Sequence, residues 1–278
     1  METHVAADQL LYLYAFIPTN EQTDTPDMTG IDPDSPIEYI SHGDITSIIC
    51  RVKKDEFDET QLKKNVENMS WLQEKAFHHH EMMNHFHQSY TMIPLKFGTI
   101  YETKESLESI VHTHNERITE LFQTLKQKNE WNVKIYADKQ KFTQSVLEHS
   151  PEIEKKKQEI EQLSKGKQFF ERRKLDQFVE KQADKEIAEQ CENLHEKLLQ
   201  FSDQSEVKKN WNQKVTGRPE EMCWNSAYLI NESDTDRFVQ VIQDEKKEAV
   251  DKESGLDYAV TGPWPAYHFS SFIEDSDT

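Results

Sequence analysis

Residues 10–17 read LLYLYAFI, an unbroken run of branched and aromatic side chains that stops at Pro18. Such a run is typical of a buried β-strand. A second run, Ile45–Val52 (ITSIICRV), has the same character and predicts a second strand. The chain therefore opens on a sheet, and we expect helices to cover one face of it.

A histidine-rich helix is expected after these strands. Apolar residues recur at helical spacing across residues 59–89, and His80 and His87 continue the stripe. We therefore predict one helix there, with these two imidazoles hydrogen-bonded at the interface with the sheet and with His78 and His79 in solvent.

The next segments complete a first α+β domain. Residues 90–101 (YTMIPLKFGTIY) predict a strand with Pro94 at an edge or a bulge. Gly98 in the same stretch indicates a bulge or a close approach of the backbone. A second amphipathic helix fits residues 104–128, so we assign the first domain to residues 1–128.

From Trp131 onward, the predicted elements follow the order strand, helix, strand, strand, helix, strand. This split βαβ order is typical of a ferredoxin-like (βαββαβ) domain, which we assign to residues 129–262. Its helical insertion, residues 151–201, is long, strongly charged and interrupted at Gly166. The apolar stripe of that insertion consists of Ala183, Ile187, Cys191, Leu194 and Leu198. The predicted fold is α+β with two domains, followed by a C-terminal tail over residues 263–278.

The tail carries the candidate partner-binding residues. Neither proline of residues 262–265 (GPWP) can donate a backbone hydrogen bond, so we predict that the chain leaves the second sheet there. Four aromatic residues lie close together in this tail: Trp264, Tyr267, Phe269 and Phe272. Either these side chains fold back onto the chain's own domains or they bind a partner.

The composition excludes several classes of protein. The formal net charge is −19, which argues against a binder of nucleic acid or of anionic membranes. No two of the seven glycines are closer than seven residues, so the dinucleotide fingerprint, the P-loop and the nucleophile elbow are absent. The three cysteines are far apart, and we expect them to be free thiols in a cytoplasmic protein.

The histidine cluster is the most suggestive candidate for a metal site. A zinc protease needs a second histidine four positions after the first, but Asn84 stands there after His80. His78, Glu81 and His85 do share a helix face. Structural histidines are the simpler interpretation, so we predict no metal, no cofactor and no catalytic residue.

A basic stretch interrupts this acidic chain. Its members are Lys165, Lys167, Arg172, Arg173 and Lys174. They are candidates for contact with an acidic partner, but a solvated helix face is the simpler interpretation.

Four stretches carry a resemblance to a known family: residues 11–15, with their paired tyrosines, and residues 92–101, 129–136 and 261–269. The segment PLKFGT is similar to the family's PLRFGT, with Lys96 in place of arginine. The segment TGPWPAYHF is similar to TGPWPPYSF and departs from it at Ala266 and His268. Together these motifs resemble the gas vesicle protein family GvpF/GvpL.

The resemblance implies an accessory protein of gas vesicle formation, in the cytoplasm, with or without attachment to the vesicle. The implied partners are the small hydrophobic shell protein and other accessory proteins, without nucleic acid or membrane. The family has an N-terminal α+β domain, a ferredoxin-like domain and a tail, and no catalytic residues are known to transfer. Two alternatives stay open: a ferredoxin-like regulator or enzyme that binds a small ligand, and a pure scaffold among assembly factors.

Overall fold

The structure, a computed structural model, describes residues 8–24 and 27–273. It is a mixed α+β fold with two antiparallel sheets. The chain divides into two compact units. The first unit comprises Met1–Glu130 together with Pro263–Thr278, and the second unit comprises Trp131–Gly262.

The sheet of the first unit is built around the opening strand. Its strands are Gln9–Pro18 (β1), Ile37–His42 (β2), Ile45–Lys53 (β3), Ile93–Pro94 (β4) and Ile100–Tyr101 (β5). Their order is β2-β3-β1-β4, and β5 also pairs with β1. β1 is buried from Leu10 to Ile17, which confirms the prediction from its continuous apolar run.

The helices of the first unit end at different residues from the predicted ones. They are Lys54–Phe57 (α1), Glu59–Asn65 (α2), Met69–Ser89 (α3), Lys104–Thr113 (α4) and Asn115–Leu125 (α5). The single helix predicted over residues 59–89 is divided because Asn68 caps a new helix. Its side chain accepts hydrogen bonds from the backbone N–H groups of Ser70 and Trp71.

The buried face of α3 is rotated relative to the prediction. The side chains that α3 buries are Lys75, His79, Met82, Met83 and Phe86. His79 is buried and His80 is exposed, so the prediction for these two histidines is wrong. Because Met82 and Met83 are adjacent, the sequence is compatible with two different buried faces of this helix. On the face that is buried, the polar side chains of Lys75 and His79 each have a hydrogen-bond partner.

Residues 90–101 form a turn between two short strands rather than one strand. β4 and β5 each contain two residues. Between them, the backbone N–H of Thr99 donates to the carbonyl oxygen of Lys96 at 3.1 Å. Gly98 has a φ of 82°, a conformation that glycine adopts more readily than other residues.

The second unit has a four-stranded sheet. Its strands are Lys128–Ala137 (β6), Ser202–Val207 (β7), Glu221–Asn231 (β8) and Leu256–Trp264 (β9), in the order β7-β8-β6-β9. Its helices are Lys139–His149 (α6), Pro151–Glu161 (α7), Lys165–Leu199 (α8), Gln213–Thr216 (α9) and Thr235–Asp251 (α10). Within residues 8–24 and 27–273, no helix is both long and apolar enough to cross a membrane.

Two features of the second unit differ from the prediction. The chain was predicted to leave this sheet at residues 262–265, but β9 continues to Trp264. β9 is an edge strand of the order β7-β8-β6-β9, and an edge strand is the position in a sheet where proline is tolerated. The charged helical region breaks before α8, at residues 162–164, and Gly166 lies in the first turn of α8. The predicted apolar stripe of α8 is buried throughout, which confirms that part of the prediction.

Candidate functional site

The tail aromatics lie against the first unit. The ring centroids of Trp264 and His80 are 5.4 Å apart. Tyr267 packs, partly buried, against the core that contains Tyr12 and Tyr14. Trp264 and Tyr267 therefore remain half-buried at the surface of the first unit.

Phe269 and Phe272 anchor the tail more deeply. Each is only 9% exposed. The ring of Phe272 lies 5.5 Å from the ring of Phe16 and 5.6 Å from that of His114, measured between centroids. Burial of two phenyl rings stabilises this arrangement, because aromatic side chains remove a large apolar area from water. The tail is thus folded back, as one of the two interpretations of the sequence expected.

A buried carboxylate holds the tail in position. Glu130 lies at the start of β6 and is almost completely buried. The backbone N–H of His268 donates to Oε2 of Glu130 at 2.9 Å, and Nδ1 of His268 lies 2.7 Å from Oε1. These two contacts satisfy an acid that would otherwise be expensive to bury. We refer to this pair as the tail clasp.

The tail clasp was missed by the sequence analysis. His268 was noted only as a departure from the family's usual ending, and Glu130 only as part of a motif. The two residues are 138 positions apart, and no local pattern relates them. The one available signal was that both lie in segments that resemble the family.

A buried polar cluster lies in the core of the first unit. Nδ1 of His79 is 2.8 Å from the hydroxyl oxygen of Tyr12, which also accepts a hydrogen bond from the backbone N–H of Gly98. Burial lowers the pKa of His79 to about 4. Burial likewise raises the pKa of Tyr12 well above its usual range. A neutral phenol and a neutral imidazole therefore share this hydrogen bond at physiological pH.

Tyr14 and Cys50 extend the same cluster. The hydroxyl oxygen of Tyr14 accepts from the backbone N–H of Ile31 at 2.8 Å and lies 3.8 Å from Sγ of Cys50. Burial raises the pKa of Cys50 to about 11, so this thiol stays protonated and unreactive at neutral pH. Nζ of Lys75 donates to the carbonyl oxygen of Ile31 at 3.0 Å. The cluster joins β1, β3 and α3 to the loop before β2, which is a structural role.

The described part of the chain has no cluster of three or more His, Cys, Asp or Glu side chains that could hold a metal ion. His78, Glu81 and His85, which share a face of the predicted helix, are not joined by a further ligand there. Cys50, Cys191 and Cys223 are free thiols.

The sequence signature described as "Gas vesicle synthesis protein GvpL/GvpF" matches residues 10–271. The chain belongs to this family. Gas vesicle protein L of Streptomyces sp. is 23% identical over 272 residues, which cover 98% of this chain and 96% of that protein. Gas vesicle protein F of Dolichospermum flosaquae is 25% identical over 245 residues, which cover 84% of this chain and 88% of that protein.

Two crystal structures share the fold. That of GvpF from Anabaena sp. has a TM-score of 0.71 and 18% identity, covering 96% of this chain and 100% of that one. That of GvpF from Microcystis aeruginosa has a TM-score of 0.60 and 20% identity, covering 94% and 99%. The family membership confirms the resemblance seen in the motifs and gives the chain a role in gas vesicle formation. This is a family of gas vesicle accessory proteins and not a known enzyme family.

Proposed function

We propose that this chain is an assembly factor that binds the small hydrophobic shell protein of the gas vesicle, or another accessory protein, while the vesicle forms. Membership of the GvpL/GvpF family over residues 10–271 is the observation that carries the proposal. A very hydrophobic shell subunit needs a partner that shields it before it polymerises. A net charge of −19 keeps such a partner dissolved while it presents an apolar surface.

The shell protein or accessory protein that this chain binds is called the client below. The tail is our candidate for the surface that binds the client, and its four aromatic residues have two different roles. Trp264 and Tyr267, which are half-buried, are proposed to contact the client. Phe269 and Phe272, which are buried, are proposed to hold the other two rings in position. The exposed imidazole of His80 lies beside Trp264 and extends this surface onto α3.

We propose that the first unit, which bears this surface, is the α+β domain of a two-domain protein. We propose that the second unit is ferredoxin-like, and the strand order β7-β8-β6-β9 supports this, since it places the first strand of that unit between the third and the fourth. The proposed location is the cytoplasm, where the vesicle is built.

A substitution at the tail tests the client surface. We expect Trp264→Ala to weaken binding of the purified, detergent-solubilised shell protein to the immobilised full chain, because a half-buried indole is a typical interface anchor. Trp211→Ala is the matched control, since Trp211 is also partly exposed but belongs to the second unit. Equal binding by the wild type and the Trp264 variant would contradict the tail as the client site.

The same assay distinguishes binding of the shell protein from a scaffold function among accessory proteins. If the wild-type chain captures purified accessory proteins but not the shell protein, the scaffold alternative is correct. Deleting residues 268–278 is a poor substitute for the point variant, because it removes both buried phenyl rings and the tail clasp. Loss of binding in that truncation would report unfolding as readily as loss of a contact.

A further inference from the structure

The N-terminal end of α8 exposes aromatic and basic side chains that the proposed function does not use. Phe169 and Phe170 are 69% and 67% exposed, and their ring centroids lie 5.7 Å apart. The flanking cations are equally exposed and form no ion pair with any residue that the structure describes. We call the following six residues the basic tip: Lys165, Lys167, Phe169, Phe170, Arg172 and Arg173.

A solvated helix face explains the cations of the basic tip but not its rings. Leaving two adjacent phenyl side chains in water forfeits the favourable free energy of burying them. Aromatic and arginine side chains are also the types that carry most binding energy at protein interfaces. The basic tip therefore has the composition of a contact surface.

The first unit presents a complementary surface. It contains more than twice as many acidic as basic residues, whereas the two types are nearly balanced in the second unit. On the exposed side of α3, Phe77 is 62% exposed and lies between Glu74 and Glu81, which are also exposed. These carboxylates flank the ring because they are three positions before it and four positions after it. We call these three residues the acidic face.

We propose that the basic tip of one molecule binds the acidic face of a second copy of this chain. Phenyl rings meet a phenyl ring, and unpaired cations meet carboxylates, so the surfaces match in both polarity and charge. A second copy is the favoured occupant because the matching surface is part of this same chain. The inference does not depend on the binding of a shell protein.

The contact joins two different surfaces of the chain. Two copies that exchange both contacts reciprocally form a two-fold dimer, and copies that make one contact each way with different neighbours form a ring or a longer oligomer. Because the ion pairs of this contact lie at the surface, salt weakens it.

Sedimentation velocity of the full-length chain tests the proposal. From about 1 to about 100 μM, a range that includes weak interfaces, we expect the average mass to rise with concentration and to fall again at high salt. A tip variant, Phe169→Ser with Phe170→Ser, should remain monomeric. A face variant, Glu74→Lys with Glu81→Lys, should also remain monomeric, and circular dichroism should show both variants folded.

An equimolar mixture of the two variants provides the decisive experiment. The tip variant keeps an intact acidic face and the face variant keeps an intact basic tip, so the mixture should form a dimer that does not grow further. Val250→Ser is the matched control, because it removes another exposed apolar side chain from the second unit and should leave self-association unchanged.

Three results would overturn the proposal. They are a wild-type chain that is monomeric over the whole range, self-association that both variants retain, and a mixture that fails to dimerise. A monomeric wild type whose tip variant loses binding to the shell protein would assign the basic tip to that client instead.

Discussion

The two units differ in the face that their longest helix buries: α3 buries Lys75 and His79 beside apolar side chains, whereas every residue that α8 buries is apolar. In the first unit, buried hydroxyl, imidazole and ammonium groups are hydrogen-bonded between β1, α3 and the loop before β2, as in the pair of Tyr12 and His79. In the second unit, α8 contributes a continuous apolar stripe to a large hydrophobic core. A polar core depends on exact partners and on protonation, while an apolar core depends on filled volume. The two units should therefore fail under different perturbations.

The largest effect should come from removing volume in the second unit. Leu198 is fully buried on α8, and its neighbour Leu199 is 43% exposed. We expect Leu198→Ala to lower the free energy of unfolding by about 2–5 kcal/mol, through lost burial and a residual cavity. Leu199→Ala should have an effect below about 1 kcal/mol, as is usual for the surface. Urea denaturation of both variants makes the comparison, and equal losses would contradict an apolar core organised by this stripe.

A matched pair of glycines probes backbone geometry in the two units. Gly98 has a positive φ, and a side chain there would meet Cδ2 of Leu62 at 3.3 Å. We expect Gly98→Val to destabilise the protein by about 1–3 kcal/mol, because the backbone is strained for valine and the N–H contact to Tyr12 is disturbed.

Gly166→Val is the control, since nothing lies within 4 Å of a Cβ added there, in the first turn of α8. Its effect should stay within about 0.5 kcal/mol. Thermal melting followed by circular dichroism measures both variants. An unchanged melting curve for Gly98→Val would remove the conformational reason for glycine in this turn.

The pH dependence should separate the polar core from the apolar one. The pKa of His79 is about 4 in the folded chain, against an ordinary value of 6.5. Between these values the unfolded state binds more protons, so the free energy of unfolding falls as the pH falls. We expect this histidine to account for about 2 kcal/mol lost between about pH 7 and pH 5.

His79→Gln isolates that contribution. Glutamine offers both a donor and an acceptor to the hydroxyl of Tyr12 but does not titrate, so the variant should lose less stability on acidification than the wild type. Burial also lowers the pKa of His42, His78 and His195, and these residues titrate in both proteins and cancel in the difference. Identical pH slopes for the two proteins would mean that His79 is not buried in the neutral form.

The smallest effect should come from metal removal. The described part of the chain has no cluster that could hold a metal ion, so chelation should change neither melting nor oligomeric state. Elemental analysis of tag-free protein should find far less than one equivalent of transition metal. A stoichiometric metal that is lost in a His78→Ala, His85→Ala double variant would contradict this expectation.

Local patterns were sufficient where the side chains alone decide burial. The run at residues 10–17 and the apolar stripe of α8 are buried as predicted, because an uninterrupted apolar segment has little alternative. The prediction of which face of α3 is buried was wrong, because that face includes the polar residues Lys75 and His79. Their partners, Ile31 and Tyr12, are distant in sequence, and a helical pattern does not contain that information.

The tail illustrates the same limit at the candidate site. Its aromatic content identified a segment that must be packed, and its motif identified the family. Which rings are buried depends on Phe16, His114 and Glu130, which come together only in the folded chain. β2 was missed, although the two residues between it and β3, Gly43 and Asp44, are a local signal for a hairpin turn.

The first unit is built from two segments that are separated in sequence by the whole second unit, and this has a consequence for synthesis. Residues from Pro263 onward supply buried side chains and the clasp to Glu130, yet the ribosome adds them only after the whole second unit. The second unit is contiguous and is complete before them, so it can fold while the first unit still lacks its final segment. Nascent and prematurely terminated chains thus carry an unfinished first unit. The surface that this segment completes is therefore present only on chains that have been translated past it.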